Sequence, residues 1–190
     1  MNSSLFFNVH AVLLAGLLAC APARAAAADD NAQGFMSLYV SLCMKNFTDL
    51  DGFRQRALRA KVPRLPPEDA RFYLGKFKGD AWPVPYKGQV GNYVLAVATE
   101  KNLCKVFAKR ADAGQLEREF LATVKAAPAP VLVRVLRPVV QDTGKNGKTR
   151  TVGVTWSRPG TRRNIQFMLT TSAADQASLQ ALATVATVVD

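Results

Sequence analysis

Asn92-Tyr93-Val94-Leu95-Ala96-Val97-Ala98-Thr99 and Leu103-Cys104-Lys105-Val106-Phe107-Ala108-Lys109 flank a Glu100-Lys101-Asn102 turn, and this stretch decides the fold class. Tyr93, Leu95 and Val97 recur at every second position, which puts them on one face of a strand. In the return segment Cys104, Val106 and Ala108 share a face, while Lys105 and Lys109 point away. A hairpin with one apolar side must bury that side against another layer.

The segments before it supply helices. Phe35, Leu38, Tyr39, Leu42, Cys43 and Phe47 recur at helical spacing, an amphipathic helix of about three turns with Cys43 on its apolar stripe. Thr48 or Asp49 can cap a second helix carrying Phe53, Ala57 and Leu58, which must stop near Pro63. Pro66-Pro67-Glu68-Asp69 opens a third, and Gly75 ends it. In residues 79–88, GDAWPVPYKG, prolines flank Val84, and the expectation is an extended, partly polyproline loop.

After the hairpin, Asp112 followed three residues on by Gln115 reads as a capping box, and Leu116, Phe120 and Val124 form the buried stripe of its helix. Val131 to Val140 is a strand in which Pro138 marks an edge or a bulge. The Asn146-Gly147 turn returns it as a strand bearing Val152, Val154 and Trp156. The expected pairing is antiparallel, with Val133 and Val135 buried alongside Val154 and Trp156. Arg158-Pro159-Gly160 turns again into Ile165, Phe167 and Leu169. Ser172 with Asp175 opens a C-terminal helix bearing Leu179, Leu182 and Val185. The sum is an α+β fold: N-terminal helices packed on a mainly antiparallel sheet of about five strands, in the order ααα-ββ-α-βββ-α.

The amino terminus reads as a processing segment. Leu5 to Ala19 is mostly apolar and leads into Cys20-Ala21-Pro22-Ala23-Arg24-Ala25, an A-x-A cleavage pattern. Residues 1–25 are therefore expected to be a secretory signal peptide, although Met1 to His10 contains no Lys or Arg. Leu17-Leu18-Ala19-Cys20 offers a rival cleavage that would lipidate Cys20 and anchor the protein to a membrane. Residues 26–33 read as a flexible lead-in and 34–190 as one globular domain. No second apolar run reaches about 18 residues, so no membrane span is expected after the signal.

Removing that leader removes His10, the single histidine of the chain. A Ser-His-Asp triad, a Cys-His pair and histidine-ligated zinc are then all excluded. Lys45 follows Ser41 by four positions, so no Ser-x-x-Lys site exists either. No metal-ligand spacing or Gly-rich phosphate loop is present, and no cofactor is expected. Paired carboxylates remain as a route to hydrolysis. Most acids have a plainer reading: Asp49, Asp51, Glu68, Asp69, Asp112 and Asp175 sit at expected helix starts, where the macrodipole favours them.

Cys43 and Cys104 are the two cysteines left. An even count in an exported chain, with both on apolar faces, predicts a disulfide between them. The net charge of +11 is the main binding clue. Lys105, Lys109 and Arg110 cluster by one strand end, Lys145, Lys148 and Arg150 decorate a hairpin tip, and Arg158, Arg162 and Arg163 crowd a turn. Such a field attracts anionic partners. Trp82 and Tyr86, on a proline-stiffened segment, are candidate contact residues.

The chain resembles an uncharacterised family of small exported proteins and lipoproteins of Gram-negative bacteria. The matching residues are Tyr39 to Phe47 with Cys43, Leu65-Pro66, Gly79-Asp80-Ala81-Trp82, Gly91 to Val97, and Cys104 to Asp112. The resemblance covers about residues 35–125 and implies a periplasmic domain with paired cysteines and no known activity. The expected function is a non-enzymatic periplasmic binding or accessory protein, of the inhibitor or immunity type, with an acidic protein partner and no nucleic acid. The alternatives are an envelope-surface protein binding anionic lipid or lipopolysaccharide, and a carboxylate-dependent hydrolase.

Overall fold

The computed structural model describes residues 29–189. The expected signal peptide, His10, Cys20 and residues 26–28 of the lead-in lie outside them. Helix α1 spans Asp30–Leu38, so it begins inside the stretch read as a flexible lead-in. Asp29 starts it early by accepting hydrogen bonds from the backbone N–H groups of Asn31 and Ala32, both at 3.2 Å. The helix runs on as one wide π turn, Tyr39–Met44, in which Tyr39 and Cys43 are both buried. Helix α2, Leu50–Arg59, is capped by Asp49 through the N–H of Gly52 at 3.0 Å. Helix α3, Pro67–Leu74, ends at Gly75, whose φ of +67° an L side chain rarely adopts.

The sheet has eight strands where the sequence suggested about five, and every neighbouring pair is antiparallel. These are β1 (Gly79–Tyr86), β2 (Gln89–Ala98), β3 (Leu103–Ala108), β4 (Leu132–Val135), β5 (Val139–Asp142), β6 (Lys148–Ser157), β7 (Arg163–Ser172) and β8 (Ala181–Val189). Helix α4, Ala113–Lys125, joins β3 to β4. The order across the sheet is β1-β2-β3-β8-β7-β6-β4, with β5 also paired to β6.

Three corrections account for the difference. The proline-rich 79–88 stretch is a strand because it lies at the edge. Ala81 O accepts from Leu65 N at 2.8 Å, which places Ala81 and Pro83 with their backbone groups away from β2, while Pro85 falls in the irregularity between Val84 and Tyr86, outside the regular pairing. Neither proline nitrogen is then asked to donate to the ladder. The expected C-terminal helix is the strand β8. Between β3 and β7, Ala181, Ala183 and Val185 alternate into the core, each at most 2% exposed. A short run with apolar residues on both faces reads equally as helix or strand. The 131–140 segment, finally, divides into β4 and β5 around Leu136-Arg137-Pro138.

The pairing across Asn146-Gly147 is antiparallel as expected, with Val133 opposite Trp156 and Val135 opposite Val154. Val133 and Val135 are nevertheless 38% and 53% exposed, because α4 lies over β6 and β7 and stops short of the terminal strand.

Two apolar clusters hold the layers together. On one face Phe35, Tyr39, Leu116, Phe120 and Val124 pack on Leu95, Val106, Val154, Leu169 and Val185. On the other, Ala70 and Leu74 of α3 cover Ala81, Val94, Ala96 and Phe107. Each fully buried large side chain contributes about 1.5–3 kcal/mol. Asp112 caps α4 through the N–H of Gln115 at 2.6 Å. The reciprocal half of the box is redirected. Gln115 Oε1 accepts from Asp29 N at 2.8 Å and the Asp29 carboxylate accepts from Asp112 N at 2.7 Å, so the two helix starts cap each other.

Candidate functional site

Cys43 and Cys104 form a disulfide, with Cα atoms 5.5 Å apart and both side chains fully buried. It ties the π turn to β3 and fixes the helical layer on the sheet. Beside it the Tyr39 hydroxyl donates to Thr184 O at 2.8 Å, and burial raises its ionisation far above the usual tyrosine range.

The candidate contact residues do not form one surface. Trp82 is 2% exposed and lies in the core on the α1–α4 side of the sheet, so it is not available to a partner in this state. Lys105 lies on the opposite face. Its ammonium donates to Tyr73 O and Leu74 O, both at 3.2 Å, where α3 ends, and stands 5.6 Å from the Phe77 ring centre. Burial lowers its pKa below the ordinary value. A lysine read as solvent-facing thus serves the unpaired carbonyls of a helix C-terminus. Arg110 donates to Lys109 O and Ala177 O at 2.7 Å each, pinning the loop before β8. Lys109 is exposed. Tyr86 packs edge-on against Tyr93 at 6.1 Å, partly buried.

Several acids also have structural partners. Asp80, 6% exposed, is gripped by Arg54 at 2.5 Å and Arg64 at 2.7 Å, a clamp joining α2, the loop after it and β1. Nothing in the local sequence pattern indicated it, since the three residues meet only through tertiary packing. Asp29, Asp49 and Asp112 are caps, and Glu117 pairs with Arg150 at 2.9 Å. Among the described residues no group of three or more His, Cys, Asp or Glu could hold a metal ion, and no helix is long and apolar enough to cross a membrane.

The arginine turn is where side chains assemble into a cavity. Thr161 N donates to Arg158 O at 3.2 Å around Pro159 and Gly160, whose φ is +80°. That is a type II turn, with proline and glycine at the positions it requires. Arg158, Arg162 and Arg163 rim a groove of about 610 Å³ beside it. Trp156 and Ile165, opposite each other on β6 and β7, form its floor. Trp156 is held by a 2.6 Å hydrogen bond from its indole nitrogen to Val124 O and by the Phe167 ring at 4.6 Å. Pro128 and Val131 wall one side.

No protein-family model, curated protein or solved structure matches the chain. The groove must therefore be read from its own chemistry. No Asp, Glu, His, Lys or Cys lines it, so its hydroxyls have no neighbouring base, while guanidinium groups suit bidentate recognition of carboxylate or phosphate. The sequence marked the three arginines. It did not mark the apolar floor, because the end of α4 and the loop after it close the groove from far away in the chain.

Proposed function

We propose that the protein is a non-enzymatic binding or accessory protein of the exported compartment that docks an acidic protein partner through its basic surface. An inhibitor or immunity-type role is the concrete form of this reading. The observation that carries it is the arginine-rimmed, tryptophan-floored groove and its setting. From residue 126 to 170 the chain has eight Lys or Arg and one acid, Asp142. An apolar floor inside a ring of cations gives a partner both steering and an anchor. The buried disulfide supports an oxidising compartment.

The test compares the native protein with an Arg158→Glu, Arg163→Glu variant in binding to a polyglutamate peptide. Both side chains are exposed, so folding should be unchanged. The variant should bind at least ~10-fold more weakly at low salt, and the difference should vanish near 1 M salt, where the Debye length is about 3 Å. Equal affinity of the two proteins at low salt would remove the groove from the mechanism.

A second reading, binding to anionic lipid or lipopolysaccharide, draws on the aliphatic side chains Leu132, Val139 and Val140, 48–61% exposed, beside Arg134 and Arg137. Co-sedimentation with phosphatidylglycerol vesicles, but no binding to polyglutamate, would favour it.

A further inference from the structure

The edge of the sheet beside the groove is open, and its backbone geometry says what could cover it. Leu136 N donates to Gly153 O at 2.9 Å, in register with the β4–β6 ladder. In an antiparallel pair, bonded and non-bonded positions alternate. Leu132, Arg134 and Leu136 therefore bond β6, and the N–H and C=O groups of Val133 and Val135 point outward. Among the described residues no strand pairs with that outer side. The side chains there are aliphatic and open: Leu132 is 59%, Val133 38% and Val135 53% exposed. The opposite edge, β1, is blunted by Pro83 and Pro85, whereas this one keeps its donors.

We propose that β4 receives an extended acidic segment of the partner as an added strand. The proposal rests on the reading that the partner is an acidic protein and names how it is held. Main-chain hydrogen bonds to Val133 and Val135 would supply the register, and alternate aliphatic side chains of the segment would pack on the two valines. Charge selects the occupant. Arg134 lies between the valines, Arg137 follows them, and Arg158 stands in the turn after the neighbouring strand. A second copy of this chain would set these cations against their own twins. A lipid surface would leave the outward N–H groups without regular acceptors. The edge is also continuous with the groove: Leu132 pairs with Ser157, so an added strand leads directly to Arg158.

The probe is a pool of blocked octapeptides alternating Glu or Asp with Val, Ile or Thr, with a Lys-for-Glu pool as control. Binding of the acidic pool should protect the amide protons of Val133 and Val135 from exchange. N-methylation of alternate residues in the peptides keeps charge and side chains but deletes donors, and should weaken binding at least ~10-fold. Val135→Pro removes an outward N–H that the ladder does not use and should weaken binding similarly while the melting temperature holds. If that variant misfolds, the N-methylated pool on native protein still decides.

Equal binding of the methylated pool, without protection at Val133 and Val135, overturns strand addition and leaves the acidic-partner reading standing. No binding of the acidic pool, with binding to phosphatidylglycerol vesicles, overturns both. Protection of Val133 and Val135 in free protein that sediments as a dimer assigns the edge to a second copy and also overturns the proposal.

Discussion

Replacing both Cys43 and Cys104 by alanine should cost about as much stability as any two substitutions in this protein. The bond closes a loop of 61 residues. In the chain-entropy model that constraint on the unfolded chain is worth about 4 kcal/mol at 25 °C. Both sulfurs are fully buried, so each alanine also leaves a small gap, adding up to about 1 kcal/mol apiece. The expected loss is therefore roughly 4–6 kcal/mol, out of a total of about 5–15 for a domain of this kind. At about 2–4 °C per kcal/mol for this size, melting should fall by roughly 10–20 °C. Urea unfolding of oxidised native protein and the double variant measures it directly. The slope of free energy against urea should rise in the variant, because its unfolded chain is less compact. A difference below about 1 kcal/mol, with both proteins fully folded at the start, would refute the argument. It would mean that the helical layer is held by Phe35, Tyr39 and their neighbours without help from the staple.

Three further predictions separate surface from structure. Lys105→Glu sets a carboxylate against the carbonyls at the end of α3 and should cost about 2 kcal/mol, whereas Lys109→Glu should stay within about 0.5 kcal/mol; chemical denaturation distinguishes them. Burial lowers the Lys105 pKa from its ordinary 10.5, so between the folded value and 10.5 the contribution of this one group to stability rises with pH, against the fall contributed by buried Tyr39, whose pKa is raised. Lys105→Met should remove the rising contribution and leave a steeper fall, and an unchanged slope in the variant would assign the contribution to another group. Trp82→Ala should lower stability by about 3–5 kcal/mol while leaving the rate of association with polyglutamate unchanged. Unchanged stability with faster dissociation would show instead that the indole reaches the partner.

The sequence by itself determined the local elements with strong signals. Asp49, Asp112 and Gly75 mark helix ends because capping is a matter of a few adjacent backbone groups. Alternation defined β2, β3, β6 and β7, and the apolar positions of Cys43 and Cys104 defined the disulfide. It failed where neighbours in space overrule neighbours in sequence. The two prolines of 79–88 forbid a central strand yet suit an edge, and only the order of strands says which position is occupied. Residues 181–189 carry apolar Leu182, Ala186 and Val188 on the face opposite Ala181, Ala183 and Val185, which masks the one-sided pattern that tells strand from helix. The charges show the same division. Composition alone fixed the strong positive field, but whether a given cation is a surface or a strut depends on what packs against it. Lys105 ends on the carbonyls of α3, Arg54 and Arg64 close on Asp80, and Arg158 and Arg163 stay at the rim of a groove. A side chain carries its charge in the sequence, and its partners are set only when distant segments meet.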